Sequence, residues 1–513
     1  MKLTRSTLLR VLAAFALVAV LGHRAWQQRG DATDAEATMA PIPPNAHEFR
    51  LGQLEFKACE LPQKNSGATT SAFCTRFAVP EDRAQPAGRR IELRLALIAS
   101  EAPVADASLV VLLAGGPGQA AVDTWPQTAG AFAPLLRHHH VLLLDQRGTG
   151  GSNALECKGV DEDQPATFDA ARVREQTREC LAKVSTHADP RFYTTTDAVA
   201  DLEAVRQALG APRLDLVGIS YGTRMAQQYA RRHPDGVRSI VLDSVAPNPL
   251  ALGQDFAANL DAALELQFAQ CTADAACKAA FGDPMTSLRQ LRAALREHPQ
   301  KPVSRDPVTF AEHSEPLTAL SLVGLVRMYA YTPETAAMLP LAIARGLKGD
   351  YTSLAGQQRL LTGDMSDLNA NMMQLSVICS EDADLLAPRA QDADTMLGNH
   401  LVEGLKAACE VWPHGTRPAD FHEPFKSDLP VLILAGEFDP VTPPSYAEQV
   451  LAHLGNARLL LAKGQGHNVI GRGCIPKLVG DFVDKLDPKG LDAQCIDQLG
   501  PLPAFVDFNG AAP

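Results

Sequence analysis

The sequence predicts an α/β protein, a mostly parallel sheet with helices on both faces, interrupted by a large helical insertion. Three observations carry this. Apolar runs and helical patterns alternate through residues 90–246, the rhythm of strand–helix–strand crossovers. That rhythm stops near Pro247, and the chain to about Asp428 is helical in pattern, with proline breaks. Strand character returns at 429–434 and again at 458–461, so the last strands complete the sheet that the insertion interrupts.

In order along the chain, Lys2, Arg5 and Arg10 precede a short apolar stretch, 11–22. This reads as an export signal, or an uncleaved N-terminal anchor, over residues 1–22, and it is too short for a comfortable membrane span. Residues 23–48 are polar and rich in Ala, Asp and Pro, as in a linker. The first part of the core is expected over 49–246, the helical cap over 247–428 and the rest of the core over 429–513. Ile91, Leu93, Leu95 and Leu97 alternate with Glu92, Arg94 and Ala96, the period of a half-buried strand. The runs 108–113 and 141–144 are continuously apolar, as in strands buried on both faces. Thr196-Asp197 opens a helix through Leu209, with Val199, Leu202, Val205 and Leu209 on one stripe. Another strand is expected at 239–242. The insertion, roughly 180 residues, is itself the size of a domain.

Composition narrows the function. The chain of 513 residues is 46% hydrophobic and 21% charged, enough to bury a sizeable core, and its net charge of -12 argues against nucleic acid or an anionic membrane as the main partner. Ten cysteines fit export. Their spacing leaves many pairings open, and the simplest is five local bridges: 59–74, 157–180, 271–277, 379–409 and 474–495. No Cys-x-x-Cys occurs and no His stands at ligand spacing from a Cys, so no metal or other cofactor is expected.

The chemistry concentrates in Gly218-Ile219-Ser220-Tyr221-Gly222. The apolar run 214–217 leads in and a helical pattern, 223–230, leads out; strand, sharp turn and helix are what a nucleophile elbow requires. The flanking glycines lack Cβ, so the chain can turn tightly and hold the serine hydroxyl above the sheet edge. The plainer reading is a Gly-Ser turn between a strand and a helix. A serine hydroxyl needs a base within reach, and that base needs an orienting group. Asp439 follows the strand at 431–434, and His467 follows the strand at 459–461 in Gly464-Gln465-Gly466-His467-Asn468. Asp439 could instead cap a helix near Pro444, with Glu437 a rival carboxylate, and His467 could be one loop histidine among 14. Together, in the order Ser, Asp, His and each after a strand, they read as a catalytic triad. An oxyanion hole needs two backbone N–H donors. Tyr221, after the nucleophile, supplies one. Ala114-Gly115-Gly116-Pro117-Gly118 supplies the other, from Gly116 since Pro117 has no N–H; the plainer reading of this segment is a glycine turn.

Two further segments are read as structural. The loop Asp145-Gln146-Arg147-Gly148-Thr149-Gly150-Gly151-Ser152 is glycine-rich but lacks the Lys-Ser/Thr ending of a phosphate cradle, so Asp145 and Arg147 are expected to brace the site's mouth. His138-His139-His140 enters a strand, and three consecutive side chains there cannot all face one ion.

At these residues the chain resembles the proline iminopeptidase and tripeptidyl aminopeptidase branch of the α/β-hydrolases. Gly-Gly-Pro-Gly, Asp-Gln-Arg-Gly-Thr-Gly-Gly-Ser, Gly-Ile-Ser-Tyr-Gly, Gly-Glu-Phe-Asp-Pro-Val-Thr-Pro-Pro and Gly-His match in order, over about residues 50–485. One departure is Ala114, where many relatives have His. The resemblance implies an α/β-hydrolase fold and an exported serine aminopeptidase acting on peptides, with a carboxylesterase acting on small esters as the alternative. It also implies that Glu381 and Asp382, in Ile378-Cys379-Ser380-Glu381-Asp382, hold the substrate's free amine; the plainer reading is a solvated helix start beside a disulfide.

Overall fold

A computed structural model describes residue 42 and residues 46–63, 68–101, 108–157, 168–306, 309–366 and 371–511. The expected export signal, and nearly all of the expected linker, lie outside the described residues.

The chain first runs back and forth through β1 (Glu48–Leu51), β2 (Leu54–Pro62), β3 (Thr69–Pro80) and β4 (Arg90–Ile98), each antiparallel to the one before. Of these four only β4 was expected. In β2 the alternation lapses after Phe56, with Lys57 to Glu60 exposed or part-exposed in succession, and β3 buries only Ala72 and Val79 of its twelve residues. Crossovers then build β5 (Leu109–Leu113), β6 (His140–Leu144), β7 (Leu214–Ile219) and β8 (Val237–Asp243). A small hairpin, β9 (Val303–Arg305) and β10 (Glu312–Ser314), interrupts the helical insertion, where no strand was expected. Finally β11 (Val431–Gly436) and β12 (Ala457–Ala462) join the main sheet, whose strand order is β1-β2-β3-β4-β6-β5-β7-β8-β11-β12. From β6 to β12 every pairing is parallel.

Period-two alternation explains how one sheet serves two cores. Val431, Ile433 and Ala435 of β11 pack on one side with the helices Thr195–Leu209, Tyr221–Arg232 and Pro444–Leu451. Leu432 and Leu434 face the other, with Ala121–Leu136 and Ile475–Lys485. The helix Thr195–Leu209 begins earlier than expected: Thr194 is its cap, and Asp197 returns the bond in a capping box.

The insertion is not one body of helices. Phe256–Ala273, Pro284–Glu297, Ala319–Tyr329 and Leu339–Leu347 share a separate core built on Leu264, Leu291, Val326 and Ile343. The later helices Asn371–Glu381 and His400–Cys409 send Val377, Ile378, Val402 and Leu405 into the main core. All five local disulfides form: Cys59–Cys74, Cys157–Cys180, Cys271–Cys277, Cys379–Cys409 and Cys474–Cys495. Such a set fits an oxidising, extracytoplasmic compartment. Among the described residues, no helix is long and apolar enough to cross a membrane.

Candidate active site

The elbow is set by close packing. A Cβ on Gly222 would sit 2.0 Å from the Leu113 carbonyl oxygen, and one on Gly218 would sit 2.6 Å from the Gly222 oxygen. The glycines are needed for approach, then, and the left-handed backbone falls on the serine itself, with φ 55° and ψ -122°. Strain of this kind persists only where the surroundings impose it. Here β7, the helix Tyr221–Arg232 and the bond from Ser220 N–H to the Asp243 carbonyl (2.9 Å) do so. Ser220 is part-exposed, whereas residues 214–219 and 221–230 are buried throughout.

Asp439 and His467 meet across the ends of β11 and β12. Nδ1 of His467 lies 2.8 Å from Oδ2 of Asp439. The same carboxylate accepts the N–H groups of Val441 and Thr442, both at 2.8 Å, and the Thr442 hydroxyl at 2.9 Å. Burial by itself would raise this acid, but the imidazole and the backbone donors outweigh it and hold Asp439 below its ordinary value. An ionised carboxylate only accepts, so the imidazole proton sits on Nδ1 and Nε2 keeps its lone pair. Glu437, the rival, accepts the Gly464 N–H instead, at 2.7 Å. Ser220 and His467 share no hydrogen bond among the described residues; contacts of this type tighten in the substrate complex.

Asp243, at the end of β8, is a residue the sequence reading passed over. Its carbonyl takes the Ser220 N–H, and its carboxylate takes the N–H groups of Val469 (3.0 Å) and Ile470 (2.9 Å), just past His467. Ser244 beside it accepts the Asn468 N–H at 2.8 Å. One buried residue thus ties the elbow to the histidine loop. Burial pushes Asp243 up to about 6, against the lowering effect of those two N–H bonds and of His467. Its one signal in the sequence is an acid ending the strand after the elbow.

The glycine loop lies against the elbow, since a Cβ on Gly115 would come within 3.2 Å of Ser220 Cβ. Gly116 has φ +105°, and its N–H has no partner among the described residues. Tyr221 opens its helix, so its N–H has no intrahelical acceptor. Its buried hydroxyl meets Thr195 Oγ1 at 2.7 Å and accepts from Gln146 Nε2 at 3.1 Å.

Beneath the elbow, Asp145 accepts the N–H groups of Val122 and Gly151, and buried Arg147 makes a two-pronged pair with Asp201 at 2.6 and 2.7 Å. The histidine run has structural partners: His138 and His139 meet Asp484, and His140 accepts the Ser100 N–H.

Glu381 and Asp382 lie at a helix end, not a helix start, and both are 0% exposed. Glu381 accepts the Thr195 N–H at 2.6 Å and the Thr195 hydroxyl at 2.8 Å. Asp382 pairs with Arg224 at 2.9 Å and accepts the Leu252 N–H. Arg224 stands on the helix that follows the elbow, so these acids fasten the insertion to that helix. Burial, helped by the charge of Asp382, pushes Glu381 up to about 8.

A serine at a strained strand–helix turn, with a buried Asp–His pair on the loops of neighbouring parallel strands, defines the class. Residues 108–471 match the family described as the alpha/beta hydrolase fold, and the chain belongs to it. Among curated relatives, the serine protease Hip1 of Mycobacterium tuberculosis is 29% identical over 251 residues, 45% of this chain and 47% of that one. The chain thus matches about half the length of that mycobacterial protein. A tripeptidyl aminopeptidase of Streptomyces coelicolor is 25% identical over 476 residues, 84% of each chain. Of solved structures, the proline iminopeptidase of Mycobacterium smegmatis aligns over 80% of this chain and 99% of its own, at 18% identity and a TM-score of 0.33.

Proposed function

We propose that the protein is an exported serine aminopeptidase that cleaves peptides through an acyl-enzyme on Ser220. His467 Nε2 removes the Ser220 proton as Oγ bonds to the scissile carbonyl carbon. Asp439 fixes the imidazole and stabilises it once charged. The N–H groups of Gly116 and Tyr221 take the oxyanion. Collapse of the tetrahedral intermediate breaks the C–N bond, and the leaving amine takes the proton from His467. Water, activated by the same imidazole, then releases the acyl group. The observation that carries this reading is the buried Asp439–His467 pair, joined through Asp243 to a serine at φ 55°.

The relatives named as peptidases support peptide substrates. Thr195 takes both oxygens of Glu381, and Asp382 is paired with Arg224 and shut from solvent, with only its Oδ1 left without a hydrogen bond. We therefore assign that pair to fastening the insertion rather than to holding the substrate's amine.

Ser220→Ala is expected to abolish hydrolysis of tripeptidyl amides, and acetylating the substrate's amine to remove turnover. Equal turnover of blocked and free peptides would sink the aminopeptidase reading, and cleavage of acyl esters alone would put a carboxylesterase in its place.

A further inference from the structure

The fully buried cations Arg147 and Arg224 pair with Asp201 and Asp382, and nearly buried Arg238 with Asp215. Arg327 has no carboxylate partner among the described residues. On the helix Ala319–Tyr329 its guanidinium lies 5.1 Å from the Phe256 ring centre and 5.7 Å from that of Tyr331. It makes no ion pair or hydrogen bond among the described residues, in a chain of net charge -12 where acids are plentiful. The residue is part-buried. Stacking on rings holds the head of the side chain without using any of its five N–H donors.

Its place relative to His467 gives this meaning. The Tyr331 ring meets the His467 imidazole edge-on, 5.1 Å between centres, and the Tyr331 carbonyl accepts the His467 N–H at 2.7 Å. Those separations put the guanidinium within about 11 Å of the imidazole, the reach of two or three extended residues. In acyl transfer the imidazole hands its proton to the leaving amine, so the leaving part of the substrate lies against His467. Tyr331, which stands between His467 and Arg327, therefore adjoins the imidazole that serves the leaving group.

We infer that Arg327 is a subsite for a carboxylate carried by the leaving peptide, so that this enzyme favours short peptides whose released fragment ends in, or bears, an acid. The inference rests on the serine peptidase reading above. A guanidinium fork receives a carboxylate through two parallel bonds, which an ammonium cannot imitate. The carboxylate can be the C-terminus of a short peptide or an acidic side chain close to the cleaved bond.

The test compares pentaalanine as free acid, pentaalanine as C-terminal amide, and the amide with Asp as its final residue. Wild-type kcat/KM is expected to be about tenfold or more higher for the free acid than for the plain amide. Arg327→Met should bring that ratio to near one, and Arg327→Lys should leave it in between. Because the readout is a ratio within one preparation, partial misfolding does not mimic it. The Asp-bearing amide identifies the source: if it matches the free acid, a side-chain carboxylate serves, and if it matches the plain amide, the subsite reads the C-terminus. Turnover with no preference in the wild type, or a preference that survives Arg327→Met, overturns the subsite while leaving the peptidase reading intact. Labelling of Ser220 by a fluorophosphonate with no turnover of any peptide overturns both.

Discussion

Asp439 and Glu381 are both carboxylic acids shut away from solvent, and they end in opposite protonation states. Asp439 sits at the mouth of the sheet, receives three N–H or O–H donors and faces an imidazole, and these hold it below its ordinary value. Glu381 sits where the insertion meets the elbow helix, has Thr195 as its partner, and shares its surroundings with the charge of Asp382. It is pushed up to about 8 and is therefore protonated at neutral pH. Burial is common to the two; the partners decide. An ionised Asp439 can only accept, which fixes the tautomer of His467. A protonated Glu381 still accepts from Thr195 through its lone pairs, and it sets no second negative charge beside Asp382.

The largest expected effect comes from altering the ionised member. Asp439→Asn keeps the shape but can present an N–H toward His467, favouring the wrong tautomer, so kcat on a peptide amide should fall about 10⁴-fold. A drop of tenfold or less in steady-state kinetics would mean that Asp439 is a loop brace. Next in size is Arg224→Met, which strands Asp382 as a buried, unpaired charge and should cost about 3–5 kcal/mol of stability in denaturant unfolding. Adding Asp382→Leu should recover part of that loss; if it recovers none, the pair is not what fastens the insertion.

The smallest effect tests the neutral member. With its folded value near 8 and its ordinary value at 4.5, Glu381 keeps a proton in the folded protein that the unfolded chain releases. Between those values stability must fall as pH rises. Glu381→Gln has a donor in place of the acid's O–H and nothing to titrate, so its melting temperature should lose less than the wild type's between pH 5 and pH 9. Parallel pH curves for the two proteins would show Glu381 to be ionised.

What the sequence revealed of this arrangement follows the range of the interactions. The Ser220 elbow is local, a strand, a tight turn and a helix within about twenty residues, and its pattern is visible without neighbours. Asp439 and His467 are far apart in sequence, yet each follows an apolar strand, so the parallel topology told where they would gather. The strands β1 to β3 were missed because β1 has only four residues, β2 loses its alternation after Phe56 and β3 buries only Ala72 and Val79, so no sustained period shows. Asp243 looked like the end of a strand, and its hold on residues 469 and 470 depends on a contact more than two hundred residues away. The roles of Glu381 and Arg327 depend on which groups lie beside them after folding, a charge for one and two aromatic rings for the other, a tertiary fact that leaves no periodicity behind.

The bond from the His467 N–H to the carbonyl of Tyr331 joins the loop of the proposed general base to the helical insertion. The hydrolase core therefore does not contain every anchor of that histidine; one is lent by the inserted helices. A related enzyme's insertion could not be transplanted here for its specificity alone, since it would also have to bring a carbonyl to that point. Substrate choice and the upkeep of the base are inherited together, as one part.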